Sequence, residues 1–463
     1  MVATERRRAT VRQQRADWFA HRAPAIARMP DRVVFFLSAL TFVLGMAQGY
    51  GPAAVAEFWG QGFFKILTFT AQATLVFATG FALAHTPLLH NSLVAFARIP
   101  KNEVQIIIMT TLVMMACSLF SWGFGLVAGA IVARQMGIVH RDKVHYPLIV
   151  AATYTGFLVW HGGYSGAIPT IIATPGHFLE ETMGVVPVSD TLLSGTNLLI
   201  ILSLVVIVPL LNILMRPKNL EERKSVPASV DELEEEAEPT AKSSTETASG
   251  NHPVAAGQTP AEWLENSRFV TLILGALAAL YLISYFVGGG GVTLNSVILS
   301  FFALGLILTP NARSYSQSFQ GGAKASYGII LQFPFYGGIM GMMTGTGLAA
   351  ALASGFVSIS TAQTLPFFSF LGSGLVNMFV PSGGGQWAVQ GPIVISAAKE
   401  LGADLPKVAI GVAWGDAWTN MVQPFWTLPM LAIAGLGIRD IMGYTATVLL
   451  VSGAVIGGIL LVM

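Results

Sequence analysis

The stretch "FVPSGGGQWAVQGP" (residues 379–392) interrupts a long apolar part of the chain. Three consecutive glycines and two prolines are not typical of a plain membrane-crossing helix, because both residue types destabilise helix interiors. In hydrocarbon, non-helical backbone leaves N–H and C=O groups unpaired, and it persists only inside protein or beside a water-filled cavity. The stretch therefore predicts a polar break at membrane depth that other helices enclose.

The rest of the chain has the composition of a membrane protein. Of its 463 residues, 53% are hydrophobic and 11% are charged, whereas soluble domains contain roughly 25% charged residues. Apolar runs such as Val33–Tyr50 and Phe269–Val287 are long enough to cross a bilayer as helices. We therefore expect an all-α polytopic membrane protein. The net charge of +1 indicates no nucleic-acid partner, and a lone cysteine, Cys117, excludes an internal disulfide.

The first 32 residues form a basic arm that precedes any long apolar segment. Arginines recur from Arg6 to Arg32, so residues 1–32 do not have the pattern of a cleavable signal peptide. By the positive-inside rule the arm lies in the cytoplasm and sets the orientation of the first helix. An amphipathic arm lying on anionic lipid is the alternative.

A second polar stretch, residues 216–268, separates a first transmembrane repeat (33–215) from a second transmembrane half (269–463). The stretch is rich in Glu, Ser, Thr, Ala and Pro and nearly lacks large apolar residues. Such a segment does not bury enough apolar surface to fold, so we predict an acidic, disordered cytoplasmic linker.

The two halves share an order of features that indicates a duplication. In the first half, "SLFSWGFGLVAG" (118–129) precedes a long interrupted element at 144–176. In the second half, "NMFVPSGGGQWAVQGP" (377–392) precedes a similar element at 403–435. Each set predicts a re-entrant hairpin followed by a broken helix. A loose alignment of two glycine-rich segments is the alternative.

The positive charges predict that the two repeats have opposite orientations. With the arm inside and two re-entrant hairpins, all but three of the 25 Lys and Arg residues lie on the cytoplasmic side. The exceptions are Lys65, Lys399 and Lys407. Helix 269–287 is an extra crossing, so the second repeat, which begins at about residue 292, is inverted relative to the first.

Four interruptions are expected to form a substrate site: "SWGFG" (121–125), "HGGYSG" (161–166), "PSGGGQ" (381–386) and "WTNMVQP" (418–424). Helix N-termini at such breaks attract anions, although glycines also serve close helix packing, as "GGIMGMMTG" (337–345) suggests. No Lys or Arg lies clearly at the midplane, so neutral donors would bind a small monoanion. The candidate substrate-binding residues are Ser382, Gly383, Gly384, Gly385, Gln386, His161, Gly162, Gly163, Ser165, Asn420 and Gln423.

Asp416 is the clearest candidate for ion coupling. A carboxylate at membrane depth is costly and indicates function by default. It could carry a proton or coordinate Na⁺, and a structural hydrogen-bonding role is the alternative. Thr419, Ser121 and Gly123 are further coupling candidates, and any Na⁺ would bind near the hairpin tips. His161 could titrate, bind a carboxylate or be structural.

Three motifs carry a family resemblance: "LQFPFYGGIMGMM" (331–343), "FVPSGGGQWAVQGPI" (379–393) and "WHGGYSGAIP" (160–169). The chain resembles the bacterial short-chain fatty acid transporter family, within a larger grouping of ion transporters related to divalent-anion/sodium symporters. The resemblance implies inverted repeats around a central site, a homodimer with elevator-like motion, and a short-chain monocarboxylate such as butyrate or acetoacetate as substrate. It also implies a bacterial cytoplasmic (inner) membrane location. The acidic linker departs from the family pattern.

The sequence thus predicts a secondary active transporter coupled to H⁺ or Na⁺. A passive channel or facilitator for small organic anions, or a symporter for another carboxylate, is the alternative. An enzyme is not expected, since HExxH is absent and "GGYSGA" lacks the spacing of a nucleophile elbow. Neither a P-loop nor a cofactor motif occurs in the chain.

Overall fold

The computed structural model of the chain describes residues 29–141, 143–217, 223–227, 259–378 and 380–463. Residues 1–28 of the basic arm and most of the predicted linker lie outside these ranges. The described residues form helices and turns, with no strand among them. This agrees with the prediction of an all-α polytopic membrane protein.

The first half begins with an apolar helix and ends at the linker. Its helices are α1 (Met29–Ala47), α2 (Pro52–Lys65), α3 (Leu67–Ala84), α4 (Pro87–Phe96), α5 (Glu103–Phe120), α6 (Trp122–Val139), α7 (Tyr146–Thr155), a first 3₁₀ segment (Gly156–Gly162), α8 (Ala167–Ile172), α9 (Glu180–Met183) and α10 (Gly195–Leu214).

The second group of helices begins near the end of the predicted linker and runs to Val462. Its helices are α11 (Pro260–Asn266), α12 (Arg268–Val287), α13 (Leu294–Leu308), α14 (Ala312–Ala325), α15 (Tyr327–Gly345), α16 (Leu348–Ile359), α17 (Leu365–Asn377), α18 (Gly383–Leu401), α19 (Leu405–Thr419), a second 3₁₀ segment (Asn420–Val422), α20 (Pro424–Ala434) and α21 (Ile438–Val462).

Six helical segments within the described ranges are long and apolar enough to cross a membrane. They are α2 with α3, α5, α6, α10, α12 and α21. Helix α12 buries 17% of its apolar window inside the protein, whereas α6 buries 61%. The chain is therefore a multi-pass membrane protein in which α12 is peripheral and α6 is central.

Helices α5 and α6 form a first hairpin that turns at Ser121. This residue ends α5 and begins α6 in an extended conformation. A Cβ on Gly125 would lie 2.6 Å from Ser118 Oγ, and one on Gly129 would lie 2.4 Å from Met114 Sδ. The two helices therefore run antiparallel in close contact, which glycine permits. Each is long enough to cross a membrane, so the re-entrant depth of this hairpin stays a prediction.

Helices α17 and α18 form a second hairpin in the other half. Gln386 Nε2 donates to Ser373 O at 2.9 Å, and Gln390 Nε2 donates to Ser369 O at 3.5 Å. These pairs place α17 and α18 antiparallel, with the turn at the "VPS" before the three glycines. Both hairpins thus turn within the motifs that the sequence singled out.

The "GGIMGMMTG" glycines of α15 serve close packing, the alternative that the sequence left open. A Cβ on Gly62 of α2 would lie 2.2 Å from Gly337 O, and one on Gly341 would lie 2.2 Å from Phe58 O. Backbones approach this closely only where side chains are absent. These glycines fix α2 against α15.

Two parts of the predicted linker have defined contacts. Within residues 223–227, Arg223 pairs with Glu103 of the first hairpin at 2.8 Å, and Lys224 lies 3.6 Å from Asp440 of α21. The second part is helix α11, which a capping box at its N-terminus stabilises. We did not predict either element from the composition of the linker, although Thr259 and Glu262 have the spacing of a capping box.

Candidate functional site

The first broken helix runs from α7 through the 3₁₀ segment Gly156–Gly162 to α8. At its break, a Cβ on Gly162 would lie 2.8 Å from the Trp414 ring, and one on Gly163 would lie 2.2 Å from Leu119 O. The glycines of "HGGYSG" therefore let this backbone pass between α19 and the first hairpin. A mid-helix 3₁₀ stretch often marks a functional hinge or a sequence under strain.

The second broken helix runs from α19 through the 3₁₀ segment Asn420–Val422 to α20, whose first residue is Pro424. Proline lacks an N–H and is tolerated at the first helical position but not inside a helix. The residue before a proline favours extended backbone, and Gln423 has ψ 121°. The "WTNMVQP" break thus follows from its own sequence.

The two breaks are joined by hydrogen bonds between buried side chains and backbone. Trp160 Nε1 donates to Asn420 Oδ1 at 2.9 Å, and the Tyr154 hydroxyl donates to Asn420 O at 2.7 Å. His161 Nδ1 lies 2.6 Å from Ala413 O. A carbonyl oxygen only accepts, so Nδ1 carries the hydrogen.

Helix α18 of the second hairpin begins against this contact. A Cβ on Gly383 would lie 2.5 Å from His161 Nε2, one on Gly384 would lie 2.2 Å from the Phe69 ring, and one on Gly385 would lie 2.4 Å from the Tyr336 ring. Each of the three glycines is therefore needed for close approach to a different neighbour. The first N–H groups of a helix have no intrahelical partner, and Ser382 Oγ accepts only that of Gly385, at 3.4 Å.

The polar end of α17 completes the arrangement. Asn377 Nδ2 donates to Asp416 O at 2.7 Å and to Thr419 Oγ1 at 2.9 Å. Gln423 Nε2 donates to Asn377 O. We call His161, Asn377, Gly383, Asp416 and Asn420 together the junction, because both broken helices and the second hairpin meet there.

Several polar atoms at the junction are fully buried without a hydrogen bond of normal geometry. They are both carboxyl oxygens of Asp416, Nε2 of His161 and Oδ1 of Asn377. Asp416 Oδ1 lies 3.8 Å from His161 Nδ1. Buried polar groups are normally paired, so each unpaired one requires an explanation. A ligand or ion that pairs with them is one.

The predicted site residues fall into separate groups. One group lies at or beside the junction and consists of His161, Gly162, Gly383, Asp416, Thr419, Asn420 and Gln423. Gly163 and Ser165 pack instead on Leu119 at the end of α5. Ser121 and Gly123 contact α3, where Ser121 Oγ faces Gly80. Gln386 directs its amide N–H groups to Ser373 and Gln390 inside the second hairpin, so its donors are already used.

Sequence reasoning missed three polar residues that hold the site together. Asn197 of α10 donates to Gly162 O and accepts from Trp414 Nε1, both at 2.9 Å. Ser373 Oγ donates to Val412 O at 2.6 Å, and Asn377 is part of the junction. Ser369, Ser373 and Asn377 recur at intervals of four, which places them on one face of a helix. That stripe was the available signal, whereas Asn197 near the start of α10 belongs to no such stripe.

A cavity of ≈ 90 Å³ lies on the far side of the Gly384 contact. Phe69 and Ile171 line it, and both also lie beside Gly384, so they separate the cavity from the start of α18. Its polar lining includes Lys65 and His177. Among the described residues, no group of three or more His, Cys, Asp or Glu side chains is placed to hold a metal ion.

Comparison with known proteins gives consistent results. A sequence model described as "Short chain fatty acid transporter" matches residues 21–463. A protein of Escherichia coli K12, provisionally named a short-chain fatty acid transporter, is 40% identical over 433 residues, which cover 92% of this chain and 94% of the relative. A Haemophilus influenzae protein with the same provisional name is 37% identical over 435 residues, covering 91% and 94%.

A solved structure shows a similar fold. The crystal structure of the Alcanivorax borkumensis YdaH transporter superposes with a TM-score of 0.58 at 12% identity, covering 93% of this chain and 98% of that one.

Proposed function

The chain belongs to the short-chain fatty acid transporter family, and from that premise we propose that it is a secondary active transporter of small monocarboxylates such as butyrate or acetoacetate. Transport is coupled to H⁺ or Na⁺ and crosses the bacterial cytoplasmic membrane, with the N-terminus inside. The protein works without a cofactor.

The observation that supports this proposal best is the junction. It combines the unpaired N-terminal N–H groups of α18 with buried, unpartnered side-chain atoms of His161 and Asp416. Helix N-termini bind carboxylates. Broken helices that meet such an N-terminus are the usual construction of a transporter site.

The chemistry of the junction favours a monoanion. Among the described residues, its hydrogen bonds and ion pairs involve no Lys or Arg. The backbone N–H groups at the start of α18 are the available donors, because the Asn377 amide already donates to Asp416 O and Thr419 Oγ1 and the Asn420 amide donates to Gln423 Oε1. Neutral donors balance one negative charge better than two, because each buried charge without a counter-charge adds a large desolvation cost.

We further propose the inverted-repeat topology. Each half has a hairpin (α5 with α6, α17 with α18) followed by a broken helix with a 3₁₀ segment, in the same order. Under this topology three lysines lie outside, and all three have partners. Lys65 pairs with Glu181, Lys399 donates to Thr182 O, and Lys407 donates to Met463 O. A homodimer, in which a second copy covers part of the apolar surface, is included in the proposal.

Transport assays in proteoliposomes test the function. We expect wild type to accumulate radiolabelled butyrate or acetoacetate against its gradient under an imposed pH or Na⁺ gradient, faster than protein-free liposomes, which correct for diffusion of the uncharged acid. Asp416→Asn should abolish accumulation, and Ser382→Ala should weaken it by loosening the start of α18.

Three results would count against parts of the proposal. Wild-type protein that transports no short-chain acid would remove the substrate assignment. Uptake that is indifferent to both gradients would instead identify a passive facilitator. Accumulation that survives Asp416→Asn would remove that residue from coupling.

A further inference from the structure

One side of the buried His161 ring has a fixed hydrogen bond, and the other side is open. Nδ1–H donates to Ala413 O at 2.6 Å, so in neutral imidazole Nε2 holds a lone pair. Nε2 is fully buried without a partner and faces the start of α18 at Gly383. An imidazole in this tautomer accepts a hydrogen bond from a ligand and donates none.

A carboxylate that binds at the start of α18 is also only an acceptor. Its oxygens and the Nε2 lone pair would repel each other. Once Nε2 is protonated it becomes a charged donor, and a charge-assisted hydrogen bond forms between imidazolium and carboxylate. Binding at this position therefore favours the state with one additional proton.

The charges around His161 point the same way. Asp416 Oδ1 lies 3.8 Å from Nδ1. A substrate carboxylate beside an ionised Asp416 would bury two negative charges, which is costly without a counter-charge. The Trp160 ring stacks on the His161 ring with centroids 3.7 Å apart, and aromatic faces attract cations.

The other titratable groups on the surrounding helices do not supply this charge. Tyr154 of α7 donates its hydroxyl to Asn420 O. Glu103 of α5, Arg134 of α6 and Lys399 and Glu400 of α18 lie near the opposite ends of their helices, about 20 Å or more from the breaks. Helices α8 and α10 contain no charged residue.

Resting on the proposed function, we propose that the coupling ion is a proton, and that Nε2 of His161 carries it facing the substrate carboxylate. The proton comes from water on the uptake side and bonds to the Nε2 lone pair. Nε2–H then donates to the bound carboxylate. On the opposite side the substrate leaves and the same proton returns to water, so one proton crosses with each anion.

His161→Gln tests the proposal, with His85→Gln as its matched control. The glutamine amide still donates to a carboxylate but takes up no proton. His85 also bonds its Nδ1 to a backbone carbonyl, Phe81 O at 2.9 Å, but it is exposed at a helix end. We expect His161→Gln to lose accumulation driven by a pH gradient while it still exchanges labelled for unlabelled butyrate at equal pH. His85→Gln should behave as wild type.

The pH dependence of binding provides a second measurement. For wild type, butyrate affinity should fall about tenfold per pH unit above the range in which Nε2 is protonated, as linkage to one proton requires. In His161→Gln that slope should disappear. The assignment of the proton to His161 would be overturned if His161→Gln accumulates butyrate under a pH gradient. It would also be overturned if the pH dependence of butyrate affinity is unchanged in this variant.

If the variant does not fold, wild type alone decides. When butyrate is added to purified protein in weakly buffered solution, the protein should take up about one proton per butyrate bound. Uptake of no proton would overturn the proposal. Wild-type accumulation driven by Na⁺ alone would overturn the proton and leave the transporter function intact. Absence of any short-chain acid transport would instead contradict the proposed function itself.

Discussion

Replacing Gly383 by alanine should damage the site more than the fold. A Cβ at this position would lie 2.5 Å from His161 Nε2, whereas ordinary contact begins at 3.4 Å, so the ring must give way by about 0.9 Å. The ring is unable to move straight back, because its Nδ1 already lies 2.6 Å from Ala413 O. It must rotate and lose that bond.

The magnitude follows from two opposing effects. A buried group left without its partner costs about 1–3 kcal/mol. Alanine in place of glycine in a helix returns up to about 1 kcal/mol. We expect Gly383→Ala to lower the free energy of unfolding by about 1–2 kcal/mol, and to weaken butyrate binding at least about tenfold, which corresponds to 1.4 kcal/mol.

The assay pairs thermal unfolding in detergent with butyrate binding and exchange. Gly458→Ala is the control, since it makes the same change in helix α21, where no atom lies within 4 Å of the new Cβ. That variant should be as stable as wild type or slightly more so, with unchanged binding. If Gly383→Ala binds and exchanges butyrate as wild type does, then the start of α18 is not where the substrate lies.

Three further predictions concern parts of the fold that hold the site. Gly62→Ala should destabilise the protein strongly, because its Cβ would lie 2.2 Å from Gly337 O. Gly60→Ala is the control and should not destabilise the protein, because no atom lies within 4 Å of its new Cβ. Equal melting temperatures of the two variants would contradict this packing. Asn197→Ala removes hydrogen bonds to Gly162 O, Leu192 O and Trp414 Nε1. At about 1 kcal/mol for each bond, the free energy of unfolding should fall by about 3 kcal/mol, which a lower melting temperature would show. A loss under about 0.5 kcal/mol would argue against these bonds. Burial lowers the pKa of His177 below its ordinary 6.5, so the stabilisation it contributes is present above pH 6.5 and is lost as pH falls through the lowered pKa. The melting temperature of His177→Gln should depend less on pH in that window, and an unchanged profile would exclude the effect.

The breaks were predictable from sequence because their causes are local. The glycines of "HGGYSG" and Pro424 lie where helices stop, although the glycines of α15 do not interrupt that helix. The partners of the breaks were not predictable, because they are distant in the chain. Asn197 bonds to Trp414, 217 residues away, from within a helix that otherwise looks like a plain span. Asn377 was visible as part of a polar stripe, but only its contact with Asp416 shows what the stripe does.

The hydrogen bond between His161 and Ala413 has a consequence for how the protein is made. The two residues are 252 positions apart, so at about 5–20 residues per second the ribosome needs roughly 13–50 s to reach the second after the first. During that interval His161, Trp160 and Asn197 have no partners for the groups that later bond to α19 and Asn420. The nascent first half must keep these polar groups hydrated or enclosed. Chains truncated before residue 413 are therefore expected to be degraded rather than retained.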